Sequence, residues 1–187
     1  MPTSYSITDS FGSNLAQLLS DKILKVYPSF DSEHYISEIE NESKNLNYTQ
    51  RVVLHANQLQ KHLPQNYVQA IEVLCSILGP KNPKETGMFT NYYWILPIGK
   101  FVETYGLDHY NISIQAIEEI TQRNTGEYAI RPFLRLYPQK TIQQMQHWSL
   151  AASFHLRRLA SEGCRPKLPW SSKLEEFINS PEPVFKY

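Results

Sequence analysis

The stretch FHLRRLASEGCRPKLPW, residues 154–170, fixes how the rest of the chain is read. At about 100° per residue, Leu156, Leu159, Ala160 and Gly163 fall on one apolar stripe, the pattern of a helix packed on one side. Arg165-Pro166 ends it, because a residue before proline is pushed out of the helical region. His155, Arg158 and Glu162 lie to one side of the stripe and are expected to face out of the core.

The same three-and-four rhythm runs through the whole chain, and the alternation expected of strands is nearly absent, so the fold class is all-α. Helices are expected near residues 11–26, 32–45, 48–63, 66–78, 92–105, 112–124, 127–137, 140–150, 153–164 and 171–179. Pro28, Pro64, Gly79-Pro80, Gly106, Gly126, Pro138 and Gly163 stand where helices end or restart. The long connection from Gly79 to Thr90 is too rich in Gly and Pro to be helical. Val68-Gln69-Ala70-Ile71-Glu72 returns 46 residues later as Ile114-Gln115-Ala116-Ile117-Glu118, and the helix with Leu156 and Leu159 follows after about 42 more. Ile95-Leu96-Pro97-Ile98 is echoed by Ile130-Arg131-Pro132-Phe133. Two helices per unit of about 40–47 residues describe a HEAT-like α-solenoid of stacked antiparallel helix pairs. One domain, 1–187, is expected, with capping helices over 1–64 and repeats over 65–187.

Charge is balanced overall and segregated along the chain. Residues 1–130 carry nine Lys/Arg against fourteen Asp/Glu, residues 131–173 eight against Glu162 alone, and residues 174–187 one against three. The middle segment has the sign of a phosphate-binding face, and an acidic protein partner would suit it too. No apolar run approaches the roughly 20 residues that span a bilayer, and the N-terminus lacks the pattern of a secretory signal, so a cytoplasmic protein is expected. Cys75 and Cys164 have no partner at metal-ligand spacing, and neither a phosphate-cradling glycine loop nor a GxSxG or HExxH motif occurs.

Two carboxylates are conspicuous. Glu162 lies four residues after Arg158 and three before Arg165, a spacing that intrahelical ion pairs explain without any function. Glu127 is expected to open the helix TGEYAIRPFL, where the helix dipole favours an acid. Trp170 after Pro169 either staples a neighbouring repeat or offers an indole face to a sugar, base or cation. Trp94 and Trp148 are assigned to the core. His62, His109 and His147 receive no role.

TQRNTGEYAIRPFLRLYP and FHLRRLASEGCRPKLPW resemble the core signatures of the DNA alkylation repair glycosylases, specifically the AlkC branch of the AlkC/AlkD HEAT-like superfamily. The resemblance extends over WILPIGKFVETYGLDHYNISIQAIEEI and more loosely over ILKVYPSF and HANQLQKHLP. It implies hydrolysis of the N-glycosidic bond of cationic alkylated bases such as 3-methyladenine and 3-methylcytosine in duplex DNA, with no cofactor and no metal. By the same resemblance Glu162 and Glu127 are the catalytic acids and Trp170 contacts the substrate sugar, whereas Arg131, Arg157, Arg158, Arg165 and Lys167 are candidates for DNA phosphates. The family continues with further repeats beyond the point where this chain ends, so a fragment, a shortened member of the family, or association that completes the groove is expected. A helical module that binds DNA or an acidic protein without catalysis is the alternative function.

Overall fold

A computed structural model describes residues 6–169, 171–179 and 181, and the described residues contain helices and no strand. After a 3-10 turn at Ile7–Phe11 come α1 (Ser13–Ile23), α2 (Ser32–Glu42), α3 (Tyr48–His62) and α4 (Tyr67–Ser76). The remaining helices are α5 (Met88–Asn91), α6 (Leu96–Tyr105), α7 (Tyr110–Thr121), α8 (Ile130–Leu136), α9 (Pro138–Ser149), α10 (Phe154–Gly163) and α11 (Glu175–Asn179).

Local chemistry sets several of these limits. The Asn47 side chain accepts from the Gln50 amide while Gln50 reaches back to the Asn47 amide, a reciprocal cap that starts α3. Asp31 and Asn66 cap α2 and α4 in the simpler one-way manner. Pro138 occupies the first position of α9, where its missing N–H leaves no intrahelical bond unmade. Three expected boundaries need correction. Gly87, at φ +85°, turns the chain into the short α5 at the end of the connection expected to be irregular. Residues 171–174 are not helical, so α11 begins only at Glu175. Glu127 sits in the turn ahead of α8, not in its first turn, and the dipole argument for that acid falls away.

The helices that echo one another in sequence are neighbours in space: α7 packs against α4 on one side and α10 on the other. The proline-bearing α6 and α8 also touch, and α3 lies along α6, which ties the N-terminal helices to the rest. One core runs through both rows, from Phe11 and Leu15 through Ile98, Phe101 and Ile117 to Phe133, Trp148 and Leu159. Trp94 and Trp148 are both buried in it, and the Trp148 indole donates to Glu118 at 3.0 Å. Burying each such side chain contributes about 1.5–3 kcal/mol, so the recurring apolar stripes hold the stack together. Gly163, at the end of α10, lies against Met145 and Ile130 so closely that an added Cβ would sit 2.8–2.9 Å from their methyl groups. That close approach brings the last turn of α10, with Glu162, onto α8 and α9.

Candidate active site

Two segments far apart in sequence build the site: the α7–α8 turn, residues 122–129, and the exposed edge of α10. The turn needs Gly126, where a Cβ would collide with Thr121 Oγ1 and with Ile117 2.8 Å away. Across it the Thr125 hydroxyl accepts from the Glu127 amide at 3.2 Å, fixing the backbone that carries the acid. Glu127 is only 9 % exposed, and its carboxylate meets Arg158 Nη2 at 3.0 Å. One turn further along α10, Glu162 accepts from Arg165 at 2.7 Å.

Burial pushes the Glu127 carboxyl above its ordinary pKa, Arg158 opposes that, and the charge of nearby Glu162 pushes it up again. The acids are thus close enough to feel each other, and two guanidinium groups keep the cluster neutral. Arg158 and Arg165 are not sealed in, since their side chains are 47 % and 56 % exposed. A phosphate can compete for either. The Glu162–Arg165 pair, open to solvent on both sides, is worth about 0–1 kcal/mol and separates cheaply, whereas opening Glu127–Arg158 leaves a buried carboxylate and costs more.

Beside the acids a cleft of about 140 Å³ opens between α3 and α6, walled by Tyr48, Val52, Phe89, Leu96 and Tyr128, with the Lys100–Glu103 ion pair on its rim. A smaller chamber, about 10 Å³, lies directly on Glu127 and is lined also by Thr121, Asn124, Thr125, His155, Arg158 and Leu159.

The sequence expectations divide here. Lys167 is exposed on the segment after α10, beside the exposed Arg165. Arg157 is exposed too, but its guanidinium donates to the carbonyls of Ala151 and Ala152 at 2.7 and 2.8 Å, tying down the end of α9. Arg131 requires a correction. It is 1 % exposed and donates to the carbonyls of Ser172, Gly163, Arg165 and Pro166, at 2.6–3.3 Å. A guanidinium wrapped in carbonyls and closed off from solvent meets no phosphate; it anchors the loop that follows α10. Arg135 helps, donating to the carbonyls of Ser172 and Lys173. Trp170 lies outside the described residues.

His155, expected on the outward face, is buried, with its Nε2 3.0 Å from the Asn82 carbonyl. The reason is the connection from Gly79 to Thr90, which folds over this edge of α10. Asn82 donates its amide to the Gln122 carbonyl at 2.9 Å, Arg123 donates to the Gly79 carbonyl at 2.8 Å, and Met88 Sδ lies 3.7 Å from Arg158. That loop, Asn124 and Tyr128 form part of the site wall that the sequence reading did not assign. Nothing in their spacing marks them, because the contacts bridge 32 to 73 residues of chain.

No family model matches the chain. The uncharacterized protein YhaZ of Bacillus subtilis strain 168 is 32 % identical over 179 residues, covering 95 % of this chain and 48 % of YhaZ. The Pseudomonas fluorescens alkylpurine DNA glycosylase AlkC, solved bound to DNA containing an abasic site analog, superimposes with a TM-score of 0.86 at 29 % identity. That match covers 97 % of this chain and 48 % of the AlkC chain, so the protein spans about half the length of the relatives it matches. Among the described residues no helix is long and apolar enough to cross a membrane. Along nearly its whole length this chain therefore shares the arrangement of helices of AlkC, and over the same span it is similar in sequence to YhaZ.

Proposed function

We propose that this protein excises cationic alkylated bases of the 3-methyladenine and 3-methylcytosine type from duplex DNA by hydrolysing the N-glycosidic bond. The observation that supports this reading is that Glu127, paired with Arg158, and Glu162, one turn along α10 from Arg158 and 35 residues from Glu127 in sequence, share a basic rim whose arginines stay open to solvent. The likeness to a DNA-bound alkylpurine glycosylase supports an alkylated base as the substrate. The two rows of helices, read as HEAT-like repeats, form the groove for the duplex, and duplex DNA is the partner.

An alkylated base that carries a positive charge already leaves well, so no general acid is required at its nitrogen. What remains is to stabilise the oxocarbenium character growing on the sugar and to deliver water. Phosphates entering the rim draw Arg158 and Arg165 outward, and the carboxylates they release face the sugar with their full charge. At an effective dielectric near 20, a charge pair about 5 Å apart is worth about 3 kcal/mol, roughly a hundredfold in rate. The gain counts because it grows toward the transition state. Glu162, the more exposed acid, takes the part of principal stabiliser, and the more buried Glu127 supports it and activates water. By the family resemblance Trp170 is assigned to the deoxyribose, and Arg158, Arg165 and Lys167 contact phosphates.

One observation favours the noncatalytic reading instead: both acids are ion-paired without DNA, as structural carboxylates would be. Incubation with methylated duplex DNA, followed by chromatography of the released bases, separates the two. Release of 3-methyladenine and 3-methylcytosine by the protein, falling about a hundredfold in Glu162→Gln, is the expected result. DNA binding without any release leaves the noncatalytic module.

A further inference from the structure

The small chamber on Glu127 contains a polar group whose chemistry the proposal above does not yet use. Asn124 is 2 % exposed, and its Nδ2 donates to the Tyr92 carbonyl at 2.7 Å. A carbonyl only accepts, so this bond fixes which end of the amide is nitrogen. The other end, Oδ1, is buried and has no hydrogen-bond partner among the described residues. A buried acceptor left unmatched carries a desolvation penalty that a folded chain normally avoids. Asn124 also lines the chamber that Glu127, Thr125 and Arg158 line, and the chamber volume of about 10 Å³ is near the lower bound for one water.

We infer that this chamber is a site for a single water and that Asn124 positions it for attack on the anomeric carbon. The inference rests on the glycosylase reading. Asn124 Oδ1 and the Glu127 carboxylate are both acceptors, so a water between them donates one O–H to each. Its lone pairs are then the part left to point elsewhere, which is the orientation a nucleophile needs. Arg158, at the rim, is the donor nearest to hand; when a phosphate draws it away, the lone pair is freed toward the groove. In the chemical step the water oxygen bonds to the anomeric carbon as the carbon–nitrogen bond breaks. The bonding pair leaves with the base, which becomes neutral, and the water proton passes to Glu127 and then to solvent.

The chamber is sized for water and not for a larger nucleophile, and this permits a test that a purely structural role for Asn124 would not satisfy. Single-turnover cleavage of methylated duplex DNA is run in water and in water containing methanol, and the sugar product is divided into hydrolysed and methylated forms. Asn124→Ala deletes the acceptor and enlarges the chamber; Asn124→Asp keeps an oxygen there. Both lose the bond to Tyr92. The unaltered protein should give hydrolysis almost alone. Asn124→Ala should cleave at least tenfold more slowly, with unchanged affinity for abasic-site DNA, and should yield a detectable methyl glycoside. Asn124→Asp should recover a substantial part of the rate despite losing the same structural bond. Equal rates for the two variants, or a methanol share that does not rise in Asn124→Ala, overturns the water site while leaving the glycosylase reading intact. No cleavage by the unaltered protein overturns both.

Discussion

Arg131 and Arg158 belong to the same basic stretch, and in sequence nothing but position separates them, yet the fold gives them opposite tasks. Arg131 is sunk among the carbonyls of Gly163, Arg165, Pro166 and Ser172, where its charge satisfies backbone groups and, among the described residues, has no carboxylate as hydrogen-bond partner. Arg158 stands half-exposed, with a buried carboxylate on one side and solvent on the other. The first arrangement has every donor committed and is useful because it does not change. The second is useful because its guanidinium stays in reach of solvent, so that an arriving phosphate can compete with the carboxylate for it. Positive charge along a chain thus points to a nucleic-acid face only where the side chain stays in reach of solvent.

The strongest test of this contrast is to remove the buried member. Arg131→Met removes the guanidinium from four carbonyls beneath the loop that follows α10, of which Ser172 keeps Arg135 and Pro166 keeps the Leu174 amide, and bonds to a charged group contribute about 1.5–3 kcal/mol each where they are not replaced. A loss of stability on the order of 3–5 kcal/mol is expected in urea denaturation. Amides from residue 165 to 174 should also exchange faster with solvent. Arg158→Met, which leaves the Glu127 carboxylate without its counter-charge, should move the urea midpoint less. If the two variants unfold alike, the division between anchor and rim is mistaken.

The fold was legible in the sequence to the extent that apolar spacing carries it. The echo of Val68–Glu72 in Ile114–Glu118 correctly made neighbours of α4 and α7, because a repeated stripe needs the same kind of surface to cover it. Burial of Trp94 and Trp148 followed from the same logic. His155 and Arg131 were not legible. Their burial depends on loops, residues 79–90 and 163–174, whose paths are set by hydrogen bonds to distant carbonyls and not by periodicity. Of the site, the pairing of Glu162 with Arg165 was available from spacing, whereas that of Glu127 with Arg158, across 31 residues, was not.

A second sealed polar group sharpens the same comparison through pH. His55, in α3, is buried; its Nε2 lies 3.3 Å from the Phe11 carbonyl, and its Nδ1 lies 2.8 Å from the Tyr35 hydroxyl. Burial drops its pKa from 6.5 to about 4. The imidazole is therefore neutral when folded, donating from Nε2 and accepting from Tyr35. Because the folded value is the lower one, the stability it contributes is fully present above pH 6.5 and is lost as pH falls toward 4. By pH 5 the loss should be about 2 kcal/mol relative to pH 7. His55→Gln should flatten that part of the urea-midpoint profile; an unchanged slope would mean that another group carries it.

The smallest expected effect belongs to the open rim. If Arg158 and Lys167 each hold a phosphate, the affinity for duplex DNA should fall steeply with salt, since each contact releases counterions from the duplex. Arg158→Gln or Lys167→Gln should each lower the slope of log affinity against log salt by about 1, with a loss of a few-fold in affinity at moderate salt. The double variant should lower the slope by about 2, because the contacts act through separate phosphates. Arg158→Gln differs from Lys167→Gln in one respect: it also removes the counter-charge of Glu127, leaving a buried carboxylate facing the duplex. Its affinity for undamaged DNA should therefore fall further than that of Lys167→Gln, although the two slopes match. Identical affinities at equal slopes would show that Arg158 does not shield Glu127 from the phosphates, and the role of the rim as a movable screen would fail.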